Sequence, residues 1–135
     1  MWRSLLHLFK REEKGQTLVE MAIVLPLLIL LLFGIFEFGR VSHASLTLNY
    51  AAREGARLGI TGVNDEAVRE RVENAASTLE TAEIEFETDP PYGERASGDE
   101  FTVLLEYDLD LYIPFADDII SNPLTLQGRS VMRME

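Results

Sequence analysis

Hydrophobic and polar positions divide this chain into stretches of different period. Through residue 15 they are mixed: Trp2, Leu5, Leu6, Leu8 and Phe9 lead into Lys10, Arg11, Glu12, Glu13 and Lys14. This reads as a targeting or processing segment, the alternative being a short amphipathic cytosolic extension that is never removed. Residues 17–39 are then almost wholly apolar, with Glu20 and Glu37 as the interruptions and sixteen uncharged residues between them. A helix needs about 20 apolar residues to cross the hydrocarbon core of a membrane, and this stretch is just long enough. Pro26 would break a soluble helix but is tolerated in a membrane span. The competing reading, a buried helix of a soluble protein, suffers because so small a chain has little other core to surround it.

Helical spacing continues past the span. Residues 38–58 contain no proline, and Ala44, Leu48, Ala52, Gly55 and Gly59 recur every three or four residues as a narrow seam of mostly small residues. Gly55 and Gly59 form a GxxxG pattern that permits close backbone approach, either to the protein's own sheet or to another subunit. A helix over residues 17–58 would be roughly 60 Å long, about twice the hydrocarbon thickness, so its second half is expected to project from the membrane.

Thr61-Gly62 predicts a break, and Asn64 or Asp65 a cap for a second, amphipathic helix whose apolar face is Val68, Val72, Ala75 or Ala76, and Leu79. The period then changes to two. Ala82, Ile84 and Phe86 alternate with Glu83, Glu85 and Glu87. After a loop over residues 89–98, Phe101, Val103, Leu105, Tyr107, Leu109 and Leu111 alternate with mostly polar residues. Pro114 ends that strand, residues 117–122 predict a turn or short helix, and a third alternating run covers Leu124 to Met134. The fold class is therefore α+β: a long N-terminal helix, membrane-spanning and then projecting, with a second amphipathic helix packed on a small antiparallel sheet of about three strands. The domain reading is a leader over 1–15, a long helix over 16–60 with its transmembrane half at about 17–39, and an acidic α+β domain over 61–135.

Charge sharpens this picture. The chain's net charge is −11. Residues 1–15 hold four basic and two acidic groups, a net +2, which leaves −13 for the rest. Basic residues before the span and an acidic body after it place the N-terminus in the cytoplasm and the body outside. So acidic a body repels phosphates, which sets nucleic-acid binding aside. There is no cysteine, hence no disulfide framework and no thiol nucleophile.

Glu20 is the residue that a membrane helix would normally avoid. A carboxylate at the centre of a span costs on the order of 2.5–3.5 kcal/mol on insertion scales, and less near the interface. Such a group points to function, the bland alternative being a side chain that snorkels into the headgroups. Gly15, five residues earlier at the end of the basic leader, decides for function.

Gly15-Gln16-Thr17-Leu18-Val19-Glu20, Pro26, Phe33-Gly34-Ile35-Phe36-Glu37-Phe38-Gly39-Arg40 and Ala51-Ala52-Arg53-Glu54-Gly55-Ala56-Arg57 together resemble the TadE-like family, pseudopilins or minor pilins of Tad (tight adherence) pilus systems. The resemblance covers about residues 14–59 and is loose beyond. It implies a pilin-like fold and cleavage by a prepilin peptidase between Gly15 and Gln16, which makes Glu20 the fifth residue of the mature chain. It implies that the new terminal amine of one subunit meets Glu20 of a neighbour. Other implied partners are further pilin and pseudopilin subunits, inner-membrane assembly machinery and membrane lipid. The implied location is the bacterial inner (cytoplasmic) membrane as a single-pass protein, with incorporation into a surface pilus. Met21 stands where Flp-type pilins favour tyrosine, which suits a minor component, as does a mature chain of 120 residues after removal of 15 from 135.

The remaining candidates are weaker. Glu37 and Arg40 predict a surface i,i+3 pair. Arg53 and Glu54 offer subunit contacts or simply a solvated face. His7 and His43 are isolated. Asp108, Asp110, Asp117 and Asp118 lack the spacing of a calcium loop and read as an acidic solvated face. If the last two strands pair, Glu106, Asp108 and Asp110 are expected to approach Arg129 and Arg133. No nucleophile, oxyanion loop, phosphate cradle, metal site or cofactor site is evident, so the expectation is a non-enzyme. Two other functions remain in play: a single-pass anchored protein whose acidic domain binds an extracytoplasmic partner without polymerising, and a secreted protein cut after Ala44. Glu37 and Arg40, ahead of that second site, count against it.

Overall fold

Apolar spacing of 3.6 residues gives way to a spacing of two, and the secondary structure changes with it. The computed structural model describes the backbone of residues 2–112 and 120–135, with side chains from Gly15 onward. The elements are α1 (Trp2–Gly59), α2 (Asp65–Ala75), β1 (Ile84–Asp89), β2 (Glu100–Leu109) and β3 (Leu124–Arg133), with a short 3-10 helix at Thr81–Glu83 before β1. The architecture is α+β, with a long N-terminal apolar helix, a second helix and a three-stranded antiparallel sheet.

The chain divides into two units, Met1–Glu37 and Phe38–Glu135. The first is helix throughout its described length. Pro26 lies inside it, and the leader is helical as well, its backbone continuous with that of the apolar stretch.

The second unit has one core. From α1 it takes Ala44, Leu48, Ala51, Ala52 and Ala56, from α2 Val68 and Val72, from the sheet Ile84, Phe101, Val103, Leu105, Tyr107 and Leu109. The sheet order is β1-β2-β3, antiparallel throughout. Inward residues of β2 are buried at every second position, as the alternation predicts. The helix face is built of small residues because β3 passes close to its backbone. A Cβ at Gly128 would lie 2.6 Å from the Leu48 carbonyl carbon, closer than any side chain is tolerated.

Element ends differ from expectation by a few residues. α1 stops at Gly59, and Gly62, at φ 82°, turns the chain as the Thr61-Gly62 signal predicts. Asn64 caps α2, its Oδ1 accepting from the Ala67 amide at 2.9 Å. Leu79, expected on the helix face, lies beyond its end. Ala82 is exposed in the 3-10 turn rather than inward on β1, so β1 begins two residues later than the alternation implied. β2 ends at Leu109, yet Leu111 remains buried, its amide donating to Asn122 Oδ1 at 2.9 Å. Pro114 and most of the turn expected over 117–122 fall outside the described residues.

Candidate functional site

Gly15, Gln16 and Glu20 lie on the first unit's helix, and all three are exposed. Gln16 and Glu20 are four residues apart, so they share one helix face a single turn from each other. Among the described residues Glu20 has no hydrogen-bond or ion-pair partner within the chain. Leu18, Val19, Met21, Ile23, Val24 and Leu25 around it are exposed too, and the apolar surface continues through Phe36. Gly15–Gly59 contains a stretch long and apolar enough to cross a membrane, with none of it buried by the chain. An exposed apolar surface of this extent is compatible with a single-pass membrane anchor.

In the second unit the GxxxG glycines are buried against the chain's own residues. A Cβ at Gly55 would meet Val72 Cγ2 at 2.6 Å, and one at Gly59 would overlap the Phe101 ring. Arg53 and Glu54 part company. Arg53 is exposed, whereas the Glu54 carboxylate accepts from Arg71 Nη2 at 2.5 Å and lies 3.7 Å from Arg57. The Arg71 hydrogen bond, helped by the Arg57 charge, holds the Glu54 carboxyl below the ordinary carboxylate range despite the opposing effect of burial.

Two expectations about charge are corrected. Glu37 is buried, 2% exposed, and so is not the surface group that its spacing from Arg40 suggested. Arg40 donates from Nη1 to the Asp110 carbonyl oxygen at 3.2 Å and lies over the Tyr112 ring. On the outer sheet face, β2 and β3 do pair, but the register sets Glu106 opposite Gln127 and Asp108 opposite Thr125. Those neutral partners donate to the two carboxylates, each at 2.6 Å, while Arg129 stands opposite Leu104 and Arg133 opposite Glu100. The alternation defines which face a residue occupies and leaves the alignment along the strands open. Asp117, Asp118 and the His7 side chain lie outside the described residues. His43 is exposed.

The sequence reading missed Arg95 altogether. It sits in the segment assigned to loop by composition, yet its side chain is 4% exposed and ion-pairs with Asp65. The available signal was that Arg95 is the one cation between Arg71 and Arg129 in an otherwise acidic stretch.

Burial pushes the Tyr107 hydroxyl pKa up, with Glu83 adding to the effect. Tyr107 lines a groove with Arg40, His43 and Glu80, but no arrangement of base, nucleophile and anion-stabilising donors is present there among the described residues.

Comparison with known proteins places the likeness on the helix. A comparison with curated proteins and one with solved structures each return no match. The family model of TadE-like proteins matches residues 15–57, which begin at Gly15 and end two residues before the end of α1. That segment, from the glycine through the apolar helix, is similar to TadE-like proteins.

Proposed function

We propose that this chain is a pseudopilin or minor pilin acting in assembly of a Tad-type pilus or related secretion machine, and that it is not an enzyme. The observation that carries this reading is Glu20, a carboxylate on an exposed apolar helix, without a partner among the described residues, five residues after the glycine that opens the TadE-like segment. The chain is anchored by its helix in the inner membrane, N-terminus in the cytoplasm, with the acidic second unit outside. A prepilin peptidase cuts between Gly15 and Gln16. Membrane helices of neighbouring pilin or pseudopilin subunits then associate laterally, each Glu20 taking the terminal amine of a neighbour.

Sequencing the N-terminus of the membrane-extracted protein tests this. A start at Gln16 supports the reading. An uncut Met1 favours a plain membrane anchor whose acidic domain binds a partner, and Ser45 a secreted protein. A bulky side chain in place of Gly15 is expected to leave full-length precursor, because the peptidase must approach the backbone closely at the scissile bond.

A further inference from the structure

Charges on the outer face of the sheet are matched only in part among the described residues: Arg133 stands opposite Glu100, while the acids of β1 and Arg129 have no opposite charge across the ladder. β1 presents Glu85, Glu87 and Asp89 outward, all exposed. Their neighbours across the ladder are Glu106, Leu104 and Thr102, none of them cationic, and Glu85 opposite Glu106 is a like-charge pair of the kind that destabilises a sheet. On the far side of β2, Arg129 is exposed opposite Leu104, and it has no ion-pair partner among the described residues. Arg133 is exposed, donates its Nε to the Gly98 carbonyl at 2.9 Å and stands opposite Glu100 without an ion pair to it among the described residues. Arg69 lies 5.8 Å from the Phe86 ring and pairs with Glu73, so it leaves the β1 acids unmatched. One edge strand is thus acidic and the other basic, on the same face of one sheet.

Both of those strands are outermost. The order is β1-β2-β3, and among the described residues neither outer edge is paired with a further strand. An unpaired edge is a template for another strand. β1 and β3 run in the same direction, since each is antiparallel to β2. Their charge patterns also share a spacing. Glu85 and Asp89 are four residues apart, as are Arg129 and Arg133, which is about 13 Å along a strand in both cases.

We propose that β3 of one copy adds in parallel to β1 of a second copy, with Arg129 beside Glu85, Val131 beside Glu87 and Arg133 beside Asp89. Because the two edges differ, the contact is head-to-tail and leaves a free basic edge and a free acidic edge at the ends, so it repeats. The occupant is a second copy because the complementary charges and their spacing belong to one chain's own two edges. The inference rests on the membrane-anchored part of the proposed function in one respect: anchoring gives all copies the same orientation, which makes side-by-side pairing parallel.

The chain has no cysteine, so cysteine crosslinking in membranes containing the full chain is a clean test. A chain carrying both Glu87→Cys and Val131→Cys is expected to oxidise into a ladder of dimers, trimers and longer products. Each single cysteine is expected to stay monomeric. Arg129→Glu with Arg133→Glu should abolish the ladder, as should Glu85→Arg with Asp89→Arg, and the four changes together should restore it. Restoration also shows that the reversed chains fold. Products that stop at dimers, crosslinking by either single cysteine, or ladders that persist in the reversed chains overturn the proposal. N-terminal sequencing of the same samples separates it from the function: loss of the ladder with a start at Gln16 sinks edge pairing alone, and a ladder from an uncut chain sinks only the processing.

Discussion

Arg95 reaches back thirty residues to ion-pair with Asp65 at the start of α2. The same guanidinium donates to the Val63 and Pro90 carbonyls at 2.7 and 3.0 Å and lies 4.3 Å from the Phe101 ring centroid. Asp65 completes the set by accepting from Thr88 Oγ1 at 3.0 Å and the Tyr92 amide at 2.9 Å. One buried cation therefore ties the segment after β1 to the start of α2 and to the core aromatic of β2.

Removing that cation takes the charge partner from the Asp65 carboxylate and the guanidinium donors from two carbonyls at once. Breaking a buried pair costs roughly 3–5 kcal/mol, and Asp65, with its side chain 35% exposed, recovers some hydration. Arg95→Met is therefore expected to destabilise the second unit by about 3 kcal/mol, the low end of that range. Asp65→Asn keeps an acceptor for Thr88 and Arg95 and is expected to cost less. Urea-dependent proteolysis of the full-length protein in detergent checks the order of the two.

Gly128 is a second point of structural sensitivity. Any side chain there meets the main chain of α1 at Leu48, whereas one at Gly55 meets a valine methyl group. Valine can rotate or shift, but helix backbone cannot without moving the helix off the sheet. Overpacking costs typically ~1–3 kcal/mol. Gly128→Ala is expected at or above the top of that range and Gly55→Ala below it. Denaturation midpoints of the two variants under identical conditions give the comparison.

These two sites mark where sequence reasoning stops. Periods of 3.6 and two were enough to find both helices and the three strands, and the inward set from Phe101 to Leu109 comes from alternation alone. The seam from Ala44 to Gly59 was legible as a close-packing face, but its partner was not, because small residues admit any neighbour. Register was not legible either, so the acids of β2 were matched with arginines instead of Gln127 and Thr125. Arg95 escaped because polar composition marks a loop, and burial of one cation within a loop depends on a distant carboxylate. At the candidate site, the spacing of Gly15 and Glu20 was legible in the sequence, while the absence of a partner for Glu20 among the described residues required coordinates.

Glu54 supplies a pH-dependent contribution. Its carboxyl lies below the ordinary value of 4.5, through the Arg71 hydrogen bond first and the Arg57 charge second. A lowered carboxylate contributes stability that is complete above its unfolded value and is lost as pH falls through the folded one. Arg71→Ala is expected to raise the Glu54 midpoint toward 4.5, and Arg57→Ala to raise it less, as measured by side-chain carboxyl NMR titration. Glu54→Gln is expected to remove this part of the acid-induced loss of stability below pH 4.5. A Glu54 midpoint unmoved by Arg71→Ala would contradict the assignment.

Cleavage after Gly15 would create a new terminus at Gln16. Glutamine in that position can cyclise to a lactam and lose its amine. A free α-amine, with a reference pKa of about 7.7–8.0, is mostly charged near neutrality. The Glu20 carboxylate, without a partner among the described residues and surrounded by exposed Leu18, Val19, Met21, Ile23 and Val24, needs such a cation if it is to enter a helix bundle. A lactam offers it only a hydrogen bond, and losing one member of a buried charge pair costs roughly 3–5 kcal/mol. Assembled subunits are therefore expected to retain the amine, free or methylated, and cyclised subunits to stay in the unassembled membrane pool. Glu20→Ala is expected to be cut like the parent chain and likewise to remain unassembled, since the substitution removes the pair without touching the scissile bond. Intact-mass and N-terminal peptide measurements on membrane and filament fractions decide the matter. A filament fraction dominated by pyroglutamate would sink the amine–Glu20 pairing while leaving the cleavage site untouched.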